Sequence, residues 1–389
     1  MTAFTTPLVG DPIVFPSRLE TVARAAEVDE PTLILDTEQV VRSYRRLATG
    51  LGRARIHYAM KANPTPEVLD VLHAEGSAFD AASRGEIALL LSRGVPAHDI
   101  SFGNTVKKPG DIAFAWDAGV TLFAADCEEE LEKIAAHAPG ADIYIRLLVG
   151  ATGADWPLSR KFGCTPDMAI TLLHRAATLG LNPVGLSFHV GSQTRRSEMW
   201  EGTLRAVAEV WDRARAEGIA LHLLNLGGGF PAFYGEAIDA PEVYGAAIMA
   251  MVERFFAGAT RVMAEPGRGL VAEAGMIVAE VVTVSKKAAD DLHRWVYLDI
   301  GRFSGLAETE GEAIRYQLVT ARDGEETGPC VLAGPSCDSA DVLYEKRPVA
   351  LPLGLRSGDR VLIRNCGAYT SSYSSVGFNG FPPLAVEVI

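Results

Sequence analysis

The segment Arg55–Asn63, with the sequence RIHYAMKAN, is a short run of strand-forming residues that delivers a single lysine, Lys61. Its first part, Arg55–Met60, is predicted to be a buried strand, and Asn63 ends it because a residue before proline avoids helical geometry. A lysine at a strand mouth, held against apolar residues, has a lowered pKa, and its neutral amine can form a Schiff base with a carbonyl. Lys61 is therefore the candidate reactive residue. The alternative is a surface lysine that closes the strand.

The composition is that of a globular protein. A chain of 389 residues exceeds the usual size of one hydrophobic core, which predicts two domains. The net charge of −13, without a cluster of Lys and Arg, argues against nucleic acid as a partner. The five scattered cysteines contain no CxxC pair, which argues against a disulfide framework and a zinc site. No leader or membrane-spanning pattern is recognisable, so we expect a cytoplasmic protein without a membrane partner.

From Thr37 onward, short apolar segments alternate with amphipathic ones. The predicted strands are Arg55–Met60, Ser77–Asp80, Asp99–Gly103, Val120–Ala124, Ile143–Leu147, Val184–His189, Leu221–Leu226 and Thr260–Ala264. The predicted helices between them include Pro66–Glu75, Arg84–Arg93, Glu128–Ala138, Pro166–Leu179 and Glu198–Glu217. Eight such units predict an α/β fold, a parallel (β/α)8 TIM-like barrel over residues 37–270, with a doubly wound open sheet as the alternative.

Beyond Gly269 the predicted strands follow one another without long helices between them. They are Met276–Val284, Arg294–Ile300, Ala313–Ala321, Cys330–Ala333, Arg360–Asn365 and Leu384–Val388. This pattern predicts a mostly β C-terminal domain over residues 271–389, completed by residues 1–36. That N-terminal part contains Pro7, Pro12 and Pro16, and then a predicted strand at Pro31–Asp36.

Chemistry in a (β/α) barrel is carried by the residues that follow the strands, because the carboxyl ends form the active face. Polar or glycine residues end or follow six of the eight predicted strands: Lys61, Asp80, Arg146, His189 with Ser192, Gly227–Gly229, and Glu265 with Arg268. Loops after the last two strands commonly bind phosphate through converging backbone N–H groups. The glycine-rich turns therefore predict a phosphate site; the alternative is that they only close tight loops.

Seven segments of this chain, in one order, resemble the fold-type III pyridoxal-phosphate decarboxylases, and are most similar to the bacterial ornithine/lysine decarboxylases. They are YAMKAN (58–63), FDAASRGE (79–86), FHVGSQ (188–193), NLGGGFP (225–231), EPGRG (265–269), GPSCDSAD (334–341) and GAYTSSYSSVGFNGF (367–381). The resemblance covers residues 31–389. It implies that pyridoxal 5'-phosphate is the cofactor.

The resemblance also implies roles for single residues. Lys61 is similar to the lysine that binds the cofactor covalently, Glu265 to the carboxylate on the pyridine nitrogen, and His189 to the residue stacked on the ring. The implied phosphate-binding set is Ser192, Gly229, Gly267, Arg268 and Tyr369, with Gly228 supporting its loop. Asp80, Glu86 and Arg146 resemble a shell of residues near the lysine and the ring.

The implied substrate residues lie in the β domain. Cys337 resembles the acid that returns a proton to Cα, contributed by the partner subunit of a homodimer. Asp338 resembles the carboxylate that binds the distal ammonium of the substrate, and Tyr369 is a further implied contact. The diaminopimelate decarboxylases commonly have a glutamate at the position of Asp338, so the aspartate favours a plain diamine tail.

A second carboxylate for the distal amine is ambiguous. The animal ornithine decarboxylases have a tyrosine-rich stretch where this chain has DIGRFSGLAETEGEAIRY, residues 299–316. If this segment is helical, Glu308 and Glu312 share a face while Glu310 points elsewhere. We choose Glu308 as the substrate-facing carboxylate. The alternative is a solvated acidic face.

The predicted function is decarboxylation of a basic L-amino acid, L-ornithine to putrescine in polyamine biosynthesis, with L-lysine to cadaverine left open. Diaminopimelate or arginine decarboxylation on the same fold is the alternative substrate reading. A racemase would need a catalytic tyrosine as a second base, for which no motif matches. A non-catalytic cofactor-binding barrel would leave the β domain unexplained, and LGGGF lacks the GxGxxG spacing of a nicotinamide enzyme.

Overall fold

The computed structural model of the chain describes residues 17–149, 161–256, 259 and 261–389. Pro7, Pro12 and Pro16 therefore lie outside the described residues. The chain divides into two compact units. We call them the barrel unit (Val41–Pro231 with Ile238–Gly269) and the β unit (Met1–Val40, Ala232–Ala237 and Leu270–Ile389).

The described chain begins with helix α1 (Arg18–Ala25), strand β1 (Thr32–Leu35) and helix α2 (Thr37–Leu51). Asp36 connects β1 to α2, and its carboxylate accepts hydrogen bonds from the backbone N–H groups of Glu38 and Gln39 at 3.0 and 3.3 Å. Those N–H groups belong to the first turn of α2 and have no partner within the helix. Asp36 therefore caps α2 and sets the point where strand becomes helix.

Eight parallel strands form a closed barrel in the barrel unit. They are β2 (Arg55–Ala59), β3 (Ala78–Ala81), β4 (Ile100–Phe102), β5 (Leu122–Ala125), β6 (Asp142–Arg146), β7 (Asn182–Ser187), β8 (Leu223–Asn225) and β9 (Arg261–Ala264). Each strand pairs with the next, and β2 pairs with β9 to close the ring. The predicted barrel is thus confirmed, and the open sheet is wrong.

Helices follow or separate the barrel strands. They are α3 (Pro66–Ala74), α4 (Arg84–Ser92), α5 (Pro109–Asp117), α6 (Glu128–His137), α7 (Pro166–Thr178), α8 (Trp200–Ala216), α9 (Pro241–Phe255) and the short α10 (Arg268–Val271). Four of them begin with proline, whose fixed φ suits the first helical turn and whose missing N–H is not needed there. Among the described residues no helix is both long and apolar enough to cross a membrane.

The barrel strands are apolar because both of their faces are covered. The interior contains a buried cluster formed by Leu122, Ala124, Tyr144, Val184, Leu223 and Met263. Strand β2 contributes buried Ile56 and Tyr58, as its sequence predicted. Arg55, predicted to be buried with them, is instead half exposed, because its guanidinium leaves the barrel at the amino end of β2 and pairs with Asp99 at 2.7 Å.

The β unit contains an eight-stranded sheet. The sheet consists of β1 and seven further strands. These are β10 (Gly275–Ser285), β11 (Arg294–Leu298), β12 (Leu318–Thr320), β13 (Thr327–Ala333), β14 (Val349–Pro352), β15 (Arg360–Arg364) and β16 (Ala385–Val388). Strand β1 pairs antiparallel with β10 and parallel with β16, so the N-terminal strand joins this sheet as predicted. The predicted strand over Ala313–Ala321 is wrong in extent, since only Leu318–Thr320 pairs. Strand β14, a short edge strand that ends in proline, was not predicted.

One residue of the barrel makes stability depend on pH. His57 of β2 is buried, and burial, followed by the positive charge of Arg55, lowers its pKa to about 3. In the unfolded chain the same imidazole takes up a proton near pH 6.5. Between these two pH values the unfolded state binds the proton and the folded state does not, so stability is lost as the pH falls below about 6.5.

We predict that His57 lowers the free energy of unfolding by about 1.4 kcal/mol on going from pH 7.5 to pH 5.5. Urea unfolding of the wild type and of His57→Gln at both pH values measures this difference. The variant should lose that part of the pH dependence. The control is His98→Gln at a histidine whose side chain is 77% exposed, and this variant should keep the wild-type dependence. An unchanged dependence in His57→Gln would contradict the prediction.

Candidate active site

Lys61 lies in a 3-10 turn, Met60–Ala62, directly after β2. The turn is held at both sides, because the Ala59 N–H donates to the Pro266 carbonyl at 3.0 Å and the Tyr58 hydroxyl donates to the Asn63 carbonyl at 2.9 Å. Lys61 is exposed. The expected apolar wall around its side chain is therefore wrong, although the predicted position at the mouth of a barrel strand is correct.

Asp80 of β3 is a buried carboxylate, 6% exposed. Ser101 on the neighbouring strand donates to it at 3.3 Å. The absence of a side chain at Gly103 makes room for it, since a Cβ there would lie 1.9 Å from Asp80 Oδ1. Burial and then the negative charge of Glu265 raise the pKa of Asp80, while the positive charge of Lys61 lowers it. Lys61, Asp80 and Glu265 therefore form one electrostatically linked group.

Glu265 follows β9 and is held by Asn225, the last residue of β8. The Asn225 amide Nδ2 donates to Glu265 Oε1 at 2.5 Å, and its Oδ1 accepts from the Gly227 N–H at 2.8 Å. Asn225 is fully buried. One amide thus positions both the carboxylate and the start of the glycine turn. The sequence analysis assigned no role to Asn225, which lies in the NLGGGFP segment. Its position as the last strand residue before the glycines could have indicated one.

The glycine turn after β8 packs directly on the turn after β7. Gly227 has φ 67°, and a Cβ there would lie 2.0 Å from the Phe188 carbonyl oxygen. A Cβ at Gly228 would lie 3.2 Å from His189 Cε1. Glycine is required at the first position for both reasons, backbone conformation and close approach. The missing side chain at Gly228 leaves space for the His189 ring.

Ser192 and Gly229 lie in these same two turns. Gly229 has φ 107°, and a Cβ on it would lie 2.5 Å from the Gly191 carbonyl oxygen. The Thr194 N–H donates to the Gly229 carbonyl at 3.0 Å and joins the turns. Ser192 is half-buried between Gly191 and Gln193, which both have positive φ values, 105° and 56°.

His189 is half-buried and lies in an electropositive environment. Burial, followed by the positive charges of Arg146 and Lys61, lowers its pKa to about 3. The imidazole is therefore neutral near pH 7 and presents an uncharged aromatic face. Two cations gathered around a neutral ring suit a site for an anionic ligand.

Arg146, Glu86 and Tyr144 surround this group. Arg146 ends β6, with its guanidinium 5.0 Å from the Phe162 ring centroid. Glu86 accepts from the Ala82 N–H at 2.5 Å, and burial raises its pKa while this N–H and Lys61 lower it. Tyr144 was not predicted, because a tyrosine inside a strand reads as core. Burial and the nearby negative charges of Glu265 and Asp80 raise its pKa.

Gly267 and Arg268 follow Glu265, and both are buried. Arg268 is 5% exposed and begins α10. Its guanidinium does not lose its proton, so it supplies a fixed positive charge in the turn after β9. The predicted barrel residues from Lys61 to Arg268 therefore all lie at the carboxyl ends of the strands, as expected.

The remaining predicted residues belong to the β unit. Cys337 and Asp338 are exposed on the GPSCDSAD loop. The Cys337 N–H donates to Asn379 Oδ1 at 3.1 Å, and Asp338 Oδ1 accepts from the Ala340 N–H at 2.8 Å. Tyr369 is half-buried, with φ 54°.

Asp341 organises the GPSCDSAD loop. Its buried carboxylate accepts from Ser336 Oγ at 2.7 Å, from Ser336 N at 3.2 Å and from Arg302 N at 2.8 Å. A Cβ at Gly301 or Gly334 would lie 2.1 or 2.3 Å from its oxygens. The missing side chains of the two glycines therefore leave space for the Asp341 carboxylate. This carboxylate in turn binds Ser336, the residue before Cys337.

The acidic segment Ala307–Glu312 is not a regular helix. It is a 3-10 segment with a kink, where Glu310 has an extended ψ of 132° and Gly311 a φ of 62°. The expected shared face of Glu308 and Glu312 is therefore wrong. Glu308 is half-buried, and Glu310 is exposed.

Glu312 has a structural role that removes it from the candidates. Its carboxylate is buried and accepts from the Lys346 N–H at 2.6 Å, from Arg315 at 2.8 Å and from Arg347 at 3.2 Å. Glu310 lies 3.6 Å from Arg302. Glu310 and Glu312 thus both pair with arginine side chains of the β unit.

Comparison with known proteins places these residues in context. Residues 37–272 match the family model described as the pyridoxal binding domain of pyridoxal-dependent decarboxylases. The lysine/ornithine decarboxylase of Selenomonas ruminantium is 35% identical over 367 residues, covering 94% of this chain and 91% of that protein. The lysine/ornithine decarboxylase of Vibrio vulnificus, solved with cadaverine, has a TM-score of 0.85 and 33% identity, covering 95% of this chain and 97% of that one. The arginine decarboxylase of Paramecium bursaria Chlorella virus, solved with agmatine, has a TM-score of 0.85 and 28% identity, covering 95% and 99%.

We predict that Asn225→Ala weakens binding of pyridoxal 5'-phosphate by at least about tenfold, because hydrogen bonds to charged groups contribute roughly 1.5–3 kcal/mol. Fluorescence titration of the apoprotein with the cofactor measures the dissociation constant. The matched control is Asn182→Ala. It removes a similar amide-carboxylate bond, 2.6 Å to Asp142, at the opposite end of the barrel and should leave cofactor affinity unchanged. Equal affinity in wild type and Asn225→Ala would contradict the assignment.

Proposed function

Because the chain belongs to the pyridoxal-dependent decarboxylase family, we propose that it removes the α-carboxylate of a basic L-amino acid, L-ornithine before L-lysine, and releases the diamine. Family membership makes it an enzyme that uses pyridoxal 5'-phosphate. The substrate, the roles of single residues and the assembly are the parts that we propose.

The barrel residues fit this cofactor. Four groups of the cofactor need partners from the protein. Its aldehyde reacts with an amine, and its pyridine nitrogen pairs with a carboxylate. Its flat ring packs on an uncharged face, and its phosphate binds N–H groups and a cation. Lys61, Glu265 and His189 meet the first three needs, and the side-chain-free turns with Arg268 meet the fourth. When bound, pyridoxal phosphate supplies a ring that accepts the electron pair released from the substrate Cα.

The observation that carries the proposal is the hydrogen bond that holds Glu265. The Asn225 Nδ2 donates to this carboxylate at 2.5 Å, and the charges of Glu265 and Lys61 both shift the pKa of Asp80. We propose that Glu265 pairs with the ring nitrogen and keeps it protonated, while Lys61 binds the cofactor through its amine. His189 then covers one ring face, and Arg146 adds positive charge on the same side of the site.

For the substrate, we propose that Asp338 binds the distal ammonium and Cys337 returns a proton to Cα. Both residues are exposed. This exposure supports their use by a partner chain in a homodimer. Nearby residues strengthen this inference, because Val376 and Tyr373 are 84% and 59% exposed, which is typical of apolar surface that another subunit covers.

Arginine is the second candidate substrate, because the arginine decarboxylase reported above shares the fold over 95% of this chain. Asp338 is shorter than glutamate, which argues against diaminopimelate. The roles of Glu308 and Tyr369, the polyamine pathway and the cytoplasmic location stay predictions.

We predict that ornithine is the preferred substrate, that lysine is slower by about 10- to 200-fold, and that norvaline, which lacks the distal ammonium, is nearly inert. Removing that ammonium leaves the Asp338 carboxylate unpaired. Release of carbon dioxide from ornithine, lysine, arginine, meso-diaminopimelate and norvaline measures the order. Asp338→Ala should flatten the ratio of ornithine to norvaline, whereas Asp290→Ala, at an exposed carboxylate elsewhere in the β unit, should not. A preference for diaminopimelate would overturn the substrate proposal.

We also predict that two inactive variants complement each other. Mixing Lys61→Ala with Cys337→Ala produces hybrid dimers in which one of the two sites contains both wild-type residues. After complete exchange of subunits, about one quarter of wild-type activity should return, as expected for a twofold-symmetric dimer. Native mass spectrometry confirms the exchange. If hybrids form and activity stays absent, each site is built within one chain.

A further inference from the structure

The GPSCDSAD loop is held at Cys337 by a residue from a different turn. Asn379 Oδ1 accepts a hydrogen bond from the Cys337 N–H at 3.1 Å, and the Cys337 thiol donates to the same oxygen at 3.5 Å. A backbone N–H can only donate, so the atom that faces it is the amide oxygen and not the amide nitrogen. The thiol of Cys337 therefore faces an acceptor.

The conformation of Asn379 indicates that its side chain is needed there. Its φ is 52° and its ψ is 20°, in the left-handed region, and Gly377 and Gly380 of the same turn have φ values of 75° and 79°. Glycine adopts this region without cost, whereas asparagine only tolerates it. The turn thus contains an amide at a position where its backbone would suit glycine.

The turn that contains Asn379 is packed beside the loop that contains Cys337. The Phe378 and Phe303 rings lie 4.8 Å apart, and together with Pro335, Ser336 and Phe381 they line one pocket. Asp341 holds the adjacent Ser336. Hydrogen bonds therefore anchor both Cys337 and the residue before it.

We propose that Asn379 is a positioning residue for Cys337 and that it holds the thiol in one orientation for proton delivery. This inference rests on the proposed role of Cys337. In that step carbon dioxide leaves and its bonding pair remains on Cα; the S–H bond breaks, the proton bonds to Cα, and the thiolate then regains a proton from water. The Asn379 oxygen fixes the position of the sulfur, because it accepts from both the N–H and the S–H of the same residue.

The chain offers variants that separate the side chain from the backbone. Asn379→Gly removes the amide and relieves the left-handed conformation, so the turn should persist. Asn379→Asp retains an acceptor and adds negative charge. The matched control is Asn365→Gly, since Asn365 also has a positive φ, 60°, and its amide donates to the Phe233 carbonyl at 2.7 Å.

Two readouts test the proposal on the assembled enzyme with bound cofactor. The first is the amount of diamine formed per carbon dioxide released. If the proton is delivered to the cofactor carbon instead of Cα, hydrolysis yields an aminoaldehyde and pyridoxamine phosphate. The second is the rate of alkylation of Cys337 by iodoacetamide at a fixed pH, measured by peptide mass mapping.

We expect Asn379→Gly to increase the share of aminoaldehyde by about three- to tenfold and to speed alkylation of Cys337 by a similar factor, because the thiol is no longer held, whereas Asn379→Asp retains the acceptor and should keep the wild-type share of diamine. Asn365→Gly should match the wild type in both measurements. Unchanged diamine yield and an unchanged alkylation rate in Asn379→Gly, with the cofactor absorbance and dimer intact, would overturn the inference. Cys337→Ala separates the two proposals: if it leaves the diamine yield unchanged, the proposed role of Cys337 fails as well.

Discussion

The hydrogen bond between Asn225 and Glu265 is the interaction on which the barrel site depends. Glu265 lies near a second carboxylate, Asp80, and like charges at a buried barrel end repel each other. A rigid donor from the end of β8 keeps one Glu265 oxygen in place, and the positive charge of Lys61 offsets part of the repulsion. The oxygen of the same amide accepts from the Gly227 N–H, so the carboxylate and the glycine turn are held by one side chain.

In the β unit, two polar side chains likewise hold a functional loop through hydrogen bonds. Asp341 holds Ser336, and Asn379 holds Cys337, so an exposed loop acquires a defined shape from two buried or strained polar side chains. Gly301 and Gly334 leave space for Asp341, as Gly103 does for Asp80 in the barrel. In both units a buried carboxylate therefore depends on a nearby residue without a side chain.

Much of this arrangement was predictable from the sequence. The order of strands and helices followed from local apolar periodicity, and the barrel then required Lys61, His189 and Glu265 to share one face, because parallel strands end at one edge. The N-terminal strand was also placed correctly in the β sheet. These predictions succeed because each depends on a pattern within a few neighbouring residues and on a fold that such patterns specify.

The sequence by itself therefore determined the element order, the barrel and the face that bears the chemistry. Only the tertiary structure decided that Arg55 leaves the barrel to pair with Asp99, that Asn225 holds Glu265, and that the acidic segment is kinked at Gly311. These features depend on side chains far apart in the chain and on left-handed backbone conformations. Neither leaves a periodic signal, because the contact exists only once the folded chain brings its two partners together.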